Sequence, residues 1–161
     1  MIAQHGQKGK HNHLIEGRNS RLDGLQAAIL LAKLPHLEKW TEARIANAAI
    51  YSKLLEKAGL SGALTVPLSV PMVKRGSRHV FHLYVIRTEN RDQVQRRLTD
   101  AGVETAIHYP TALPFLPCYS HRSPGPESFP VAYAYQNKIL SLPLFPELRE
   151  EEIAYVAALL K

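Results

Sequence analysis

The sequence is poor in cysteine and has no long hydrophobic run. Cys118 is its one cysteine, which excludes an internal disulfide and any zinc site built from several cysteines. No apolar stretch approaches the about 20 residues that a membrane helix needs. Residues 1–13 are polar and rich in His, Lys and Gln, unlike a secretory signal peptide. These absences favour a cytoplasmic protein.

The common catalytic signatures are missing as well. The sequence has no Walker loop, no Gly-x-Gly-x-x-Gly, no Gly-x-Ser-x-Gly and no metalloprotease motif. His11 and His13 alternate without a third ligand nearby, so we expect no metal site. His121 follows Cys118 in a Pro-rich loop, which is a weak indication of an activated thiol. The motifs alone therefore predict no reaction.

What remains is a basic globular chain. Its 161 residues are 45% hydrophobic and 21% charged, which is typical of one folded domain. The net charge of +6 favours an anionic ligand, a nucleic acid or nothing specific. Lys74, Arg75 and Arg78 cluster within residues 60–78. We interpret this region as a solvated loop; the more specific alternative is that its basic residues bind phosphate.

Two helices are predicted in the first sixty residues. Apolar residues at helical spacing predict one helix over residues 20–34 and a second over residues 36–58 that ends at Gly59. Pro35 interrupts the first helix or starts the second. The apolar face of the second helix is formed by Trp40, Ala43, Ala46, Ile50 and Leu54. Such faces need a partner, which is the smaller domain, a missing domain or another subunit.

The start of the first helix is a candidate anion site. Asn19 or Ser20 can cap it, and Ser20 with Asp23 resembles a capping box. Free N–H groups at a helix start carry partial positive charge and suit a phosphate. Arg18 and Arg21 add two guanidinium groups. The alternative is an ordinary capped helix with surface arginines.

The rest of the chain predicts an α/β domain. A central strand over residues 80–87 is followed by a helix over 91–101, which Asn90 caps and Gly102 ends. The further predicted elements are a strand over 103–107, a short helix from Phe129 to about Lys138, a strand over 139–142 and a helix over 149–160. His108 and Tyr109 end the second strand, where ligand-facing residues are often found, although a lone His-Tyr pair at such a position is more often structural.

Several segments together resemble one family. They are Gly17-x-Asn19-x-Arg21-Leu22-Asp23-x-Leu25-Gln26-Ala27-Ala28, Phe81-His82-Leu83-Tyr84-Val85, Gly102-Val103, His108-Tyr109-Pro110, Phe129-Pro130, Leu140-Ser141-Leu142-Pro143 and Pro146-Glu147-Leu148. Their order and spacing resemble the C-terminal part of the nucleotide-sugar aminotransferases, the DegT family of fold-type I enzymes that use pyridoxal 5'-phosphate (PLP). The resemblance covers nearly the whole chain.

The resemblance implies a fold and an organisation. It implies an α/β chain, the C-terminal small domain of the aspartate-aminotransferase fold, preceded by a pair of long helices. The implied parts are an irregular segment over residues 1–18, helices over 19–58 that pack on the large domain or a partner subunit, and a small α/β domain over 59–161. A complete enzyme would be a homodimer.

The resemblance also implies a chemistry. Family members transfer an amino group, usually from glutamate, to a keto sugar linked to a nucleotide, and hold PLP as a Schiff base on a lysine. That lysine lies upstream of the segment that this chain matches. We therefore expect that the chain alone does not transaminate and does not bind PLP covalently.

The resemblance carries a few residues over to this sequence. Asn19 corresponds to an asparagine that binds the cofactor phosphate of the neighbouring subunit, and the adjacent Arg21 is expected to be structural or supporting. His108 and Tyr109 become candidates for contact with the sugar nucleotide. Residues 111–114 read Thr-Ala-Leu-Pro where many members read Pro-Leu-His, which leaves the sugar open. Phe115 and Tyr119 are expected to pack.

Two other readings stay open. The first is a non-catalytic basic module that binds a partner protein or nucleic acid, supported by the net charge and the cluster at residues 74–78. The second is a fragment with no function of its own, which predicts an exposed apolar face over residues 22–54 and self-association.

Overall fold

The computed structural model describes residues 1–9, 12–20, 22–60, 68–122 and 125–161. Its contacts divide the chain into two compact units, Met1–Glu38 and Lys39–Lys161. No helix within the described ranges has the length and apolar character needed to cross a membrane. The three-part organisation expected from the sequence stays a prediction.

The structure contains five α-helices and three strands among the described residues. The helices are α1 (Gly24–Lys33), α2 (Leu37–Lys57), α3 (Arg91–Asp100), α4 (Pro130–Tyr135) and α5 (Glu150–Leu159), and the strands are β1 (Leu68–Ser69), β2 (Tyr84–Thr88) and β3 (Ile139–Leu142). Short 3₁₀ turns at Leu34–His36, Leu113–Phe115, Pro117–Arg122 and Pro126–Ser128 connect them. The predicted limits of β3 and α5 are confirmed to within one residue.

The sheet is antiparallel, in the order β1-β2-β3. The central position predicted for β2 is therefore confirmed, but the strand begins at Tyr84 and not at Val80. The reason is local, since Phe81 has a φ of 47°, which no strand residue adopts. The strand predicted over residues 103–107 is wrong, because only Ala106 pairs there, in an isolated bridge with Ser141.

One apolar core holds the C-terminal unit together. Its fully buried large side chains come from α2, α3, α5 and the two longer strands: Tyr51, Tyr84, Leu55, Ile86, Leu98, Leu140 and Ile153. Gly102 ends α3 with a φ of 77°, as predicted, and the amide of Val103 then donates to the carbonyl of Leu98 at 2.8 Å. Asn90 precedes α3 but makes no side-chain cap, so that part of the prediction is wrong.

The buried face of α2 is rotated from the predicted one. Asn47, Ala48, Tyr51 and Leu55 are buried, whereas Ala46 of the predicted face is exposed. This face contains one buried amide side chain, that of Asn47. The Asn47 Nδ2 donates to the carbonyl oxygens of Phe145 at 3.0 Å and Leu148 at 3.2 Å. A pattern that counts only apolar residues leaves Asn47 out of this face.

α1 buries none of its residues. Its apolar side chains and those next to it are exposed: Leu22, Leu25, Ile29, Leu30, Leu31, Leu34 and Leu37. The exposed face predicted for a fragment over residues 22–54 therefore exists only over its first half, because one side of α2 is buried from Asn47 to Leu55.

The start of α5 is closed by an ion pair. The amide of Arg149 donates to Glu152 Oε2 at 2.9 Å, and its guanidinium donates to Oε1 at 3.0 Å. These hydrogen bonds hold the pKa of the Glu152 carboxyl below its usual range. The acidic first turn predicted at the positive end of this helix is confirmed.

Two buried tyrosines give a testable difference in stability. The Tyr51 and Tyr84 rings stack with centroids 5.0 Å apart, and the Tyr84 hydroxyl lies 2.9 Å from Ser52 Oγ. The Tyr51 hydroxyl is buried without a hydrogen-bond partner among the described residues. We expect Tyr51→Phe to raise the free energy of unfolding by about 1 kcal/mol, because it removes an unpaired polar group. We expect Tyr84→Phe, the matched control, to lower it by about 1 kcal/mol.

The same pair makes stability fall in alkali. Burial raises the pKa of both phenols, that of Tyr84 to about 12. The stability that depends on both phenols staying protonated is complete below a pH of about 10, the pKa of an unfolded tyrosine, and is lost as the pH rises above it. Urea titrations at pH 7 and pH 11 will measure this. Tyr51→Phe should lose less stability between the two pH values than the wild type, and an equal loss would contradict the assignment.

Candidate functional site

Asn19 lies in a turn-rich segment and not on a helix. Its backbone forms an isolated antiparallel bridge with Gln4. The neighbouring amides donate to the same opposing segment, Arg18 to Ile2 at 2.8 Å and Ser20 to Ala3 at 3.0 Å. The side chain of Asn19 is exposed and has no hydrogen-bond partner in the described part of the chain. Its amide is thus free to donate to a ligand.

The cap predicted for the first helix is wrong. Asp23 caps α1, because its Oδ1 accepts from the amides of Leu25 at 2.8 Å and Gln26 at 3.2 Å. Aspartate caps as well as asparagine or serine, and it lies next to the first helical residue. Its carboxylate occupies the free amides and places negative charge there, so neither Asn19 nor Ser20 builds an anion site from this helix start. Arg21 lies outside the described residues.

His108 and Tyr109 follow the bridge between Ala106 and β3. His108 is half-buried, and its Nδ1 lies 2.9 Å from Ser141 Oγ. Tyr109 is 71% exposed, and its ring meets that of His108 edge-on with centroids 5.5 Å apart. The peptide bond between them is cis. One anchored polar ring and one exposed aromatic ring therefore lie side by side.

The loop after this pair is fixed by side chains from α4 and its end. The amide of Ala112 donates to Gln136 Oε1 at 2.9 Å. The Phe115 ring packs edge-on against Phe129 and Tyr133, with centroids 6.5 Å and 5.3 Å apart. The ring of Phe115 therefore packs against other aromatic rings, as expected from the sequence.

Sequence reasoning missed Ser141 and Gln136 as supports of this region. Ser141 is the one polar residue in β3, whose other residues are Ile139, Leu140 and Leu142. A polar residue inside an apolar strand needs a hydrogen-bond partner, and that was the available signal. The identity of the partner, 33 residues earlier in the chain, was not readable from the sequence.

The basic cluster is partly used within the chain. Arg78 pairs with Glu42 at 2.6 Å, whereas Lys74 and Arg75 are exposed. Cys118 is exposed, and the Nδ1 of His121 lies 3.1 Å from its carbonyl oxygen. No group of three potential metal ligands occurs within the residues that the structure describes, a range that omits His11.

Comparison with known proteins decides the classification. The profile of the DegT/DnrJ/EryC1/StrS aminotransferase family matches residues 1–161. The chain belongs to this aminotransferase family. This match confirms the resemblance stated from the sequence. The α/β fold class is confirmed by the structural match described next.

Relatives in the aminotransferase family match over nearly the whole chain. The pleiotropic regulatory protein of Geobacillus stearothermophilus is 44% identical over 97% of this chain and 41% of its own length. The dTDP-3-amino-3,4,6-trideoxy-alpha-D-glucose transaminase of Streptomyces venezuelae is 36% identical over 94% of this chain and 38% of its own. The crystal structure of DesV from S. venezuelae, in complex with a ketimine intermediate, has 34% identity and a TM-score of 0.89 over 99% of this chain and 41% of that chain.

The chain therefore spans about two-fifths of the length of these family members. It shares the family fold over that part. The Asn19 segment and the His108–Tyr109 pair both lie inside it.

Proposed function

We propose that this chain is the C-terminal portion of a PLP-dependent aminotransferase that acts on a nucleotide-linked keto sugar, with glutamate as the amino donor and a homodimer as the complete enzyme. The observation that carries the proposal is the family match over all 161 residues. The name of the S. venezuelae relative supports the sugar-nucleotide substrate.

The residues of this chain fit part of what PLP needs. The exposed amide of Asn19, which has no partner among the described residues, suits a phosphate oxygen of the cofactor. The described lysines do not suit covalent attachment in an enclosed site. All are exposed except Lys138, whose Nζ donates to Glu89 at 2.8 Å. The chain would thus supply a phosphate contact, and the attachment lysine would come from elsewhere in the complete enzyme.

The proposed division of work follows from these positions. Bound PLP supplies an electron sink for the transfer of the amino group. In the complete enzyme Asn19 would donate to the phosphate of the cofactor held by the neighbouring subunit, and for Arg21 we propose only the structural or supporting role that the resemblance implies. His108 donates from its free ring nitrogen to the sugar nucleotide, and the exposed ring of Tyr109 covers one side of the sugar nucleotide.

A fusion tests the proposal. The part of the S. venezuelae transaminase that lies outside the match is joined to this chain, and both proteins are treated with PLP and borohydride. We expect the fusion to gain the mass of reduced PLP on a lysine and to turn over a dTDP- or UDP-linked keto sugar with glutamate. We expect the 161-residue chain to do neither. A lysine adduct on the chain alone would overturn the proposed division.

Two variants of the fusion separate cofactor from substrate. Asn19→Ala should weaken PLP retention about tenfold, the equivalent of one good hydrogen bond, and leave the KM for the sugar nucleotide unchanged. His108→Ala should raise that KM about tenfold and leave PLP retention unchanged. Asn12→Ala, which removes another exposed amide of the N-terminal unit, is the control and should change neither.

A further inference from the structure

Ser141 anchors the ring of His108 from a neighbouring segment. The serine is 4% exposed, and its Oγ lies 2.9 Å from the Nδ1 of His108. The backbone amide of Ser141 donates to the carbonyl of Ala106 at 2.7 Å, and the amide of Ala106 donates back at 3.2 Å. These backbone bonds hold the two segments together two residues before His108, so they fix the distance between the hydroxyl and the ring.

The burial of Ser141 decides which atom donates. Its Oγ has His108 Nδ1 as its hydrogen-bond partner among the described residues. If Nδ1 carried the proton, the serine hydroxyl hydrogen would be buried without an acceptor, which costs about 1–3 kcal/mol. The hydroxyl therefore donates and Nδ1 accepts. A neutral imidazole whose Nδ1 accepts carries its proton on Nε2.

The other ring nitrogen is available to a ligand. His108 is half-buried, and its Nε2 has no hydrogen-bond partner within the described ranges. The ring of Tyr109 stands edge-on beside it, at 5.5 Å between centroids. The imidazole therefore offers one N–H donor in a fixed direction beside an exposed aromatic ring.

We propose that Ser141 is a positioning residue that holds His108 as the Nε2–H tautomer, so that the ring presents an N–H donor to an oxygen atom of the ligand. The ligand class rests on the proposed function, since the diphosphate and hydroxyl oxygens of a nucleotide-linked sugar accept hydrogen bonds. The opposite tautomer would turn a nitrogen lone pair toward those oxygen atoms. Ser141 thus decides whether His108 presents a hydrogen-bond donor or an acceptor to the ligand, although Ser141 itself does not contact the ligand.

Ring nitrogen shifts test the proposal without measuring activity. Histidine labelled with ¹⁵N is incorporated into the 161-residue chain, and spectra are recorded at about pH 8.5, where ordinary imidazoles are neutral. His108→Gln assigns the signal. The exposed His82, whose ring has no hydrogen bond in the described structure, is the reference within the chain. We expect His108 to show a single Nε2–H tautomer with a hydrogen-bonded Nδ1, unlike His82.

Two serine variants complete the test. Ser141→Ala should move the ring shifts of His108 to those of His82. Ser52→Ala removes a hydroxyl from another 2.9 Å hydrogen bond, to Tyr84, and should leave His108 unchanged. The backbone amide spectrum of each sample reports whether the variant is folded. If Ser141→Ala does not fold, Ser141→Cys is used in its place. Because a thiol is a weaker donor than a hydroxyl, Ser141→Cys should also shift the His108 signals toward those of His82.

The outcomes are separable from those of the fusion. An Nδ1–H tautomer in the wild type, or shifts that a folded Ser141→Ala leaves unchanged, would overturn the role of Ser141. An inactive fusion combined with the expected shifts would overturn the sugar-nucleotide ligand and leave the orientation of His108 by Ser141 standing.

Discussion

Leu98→Ala should lower the free energy of unfolding of the C-terminal unit by about 3 kcal/mol. The side chain is 0% exposed and lies on α3, which packs against α5 and β3. Removing a buried leucine loses its transfer free energy and leaves a cavity that the surrounding side chains fill only in part. Urea unfolding followed by circular dichroism measures the change.

Leu31→Ala is the matched control. It is the same substitution on another helix, α1, but the side chain is 71% exposed. We expect a change within about 0.5 kcal/mol. Equal losses for the two variants would mean that the exposed face of α1 is covered in solution, for example by self-association, and sedimentation of both variants would then identify the cause.

Gly17→Ala should disrupt the segment that carries Asn19. A Cβ at Gly17 would lie against the backbone nitrogen of Gly6, 2.6 Å from the carbonyl carbon of His5 and 2.8 Å from the carbonyl oxygen of Ile2. These are backbone atoms, which cannot turn aside as a flexible side chain does. The bonds between residues 2–5 and residue 18 should therefore break, at a cost of about 1–3 kcal/mol.

Backbone amide shifts of residues 2–9 and 12–20 measure the effect of Gly17→Ala. We expect them to move toward the values of an unstructured chain, while those of the C-terminal unit stay unchanged. Gly24→Ala is the control, because no atom lies within 4 Å of its Cβ position and alanine favours a helix. Native shifts in Gly17→Ala would contradict the close approach at this glycine.

The sequence predicted those elements whose signals are local. Gly102 ends α3 and Gly59, with a φ of 69°, ends α2, because glycine adopts the left-handed conformation without a Cβ penalty. Proline and apolar spacing located β3 and α5. Several residues before α1 have cap-forming side chains, and the spacing that favoured Asn19 or Ser20 as the cap did not identify Asp23.

The features that sequence reasoning missed depend on distant partners. Phe81 was assigned to a strand on its residue type, and its positive φ became visible only in the structure. The face of α2 follows Asn47, whose acceptors lie about a hundred residues later. In the candidate site, His108 was predicted from its position at the end of a strand that the structure reduces to a single bridge at Ala106, and the serine beside its ring was not predicted. Its hydroxyl comes from β3, across the isolated bridge between Ala106 and Ser141.

The hydrogen bonds from α2 to the far end of the chain also order events during synthesis. Arg44 donates to the carbonyl of Leu144 at 2.9 Å, and Asn47 reaches Leu148, contacts that span 100 and 101 positions. Closing such long loops is slow, because the chain loses conformational entropy before the stabilising contacts form. When α2 leaves the ribosome, the carbonyl groups of Phe145 and Leu148 have not been synthesised, so Asn47 has neither acceptor until most of the remaining chain follows. A nascent chain that stops before residue 144 therefore lacks both carbonyl acceptors of Asn47.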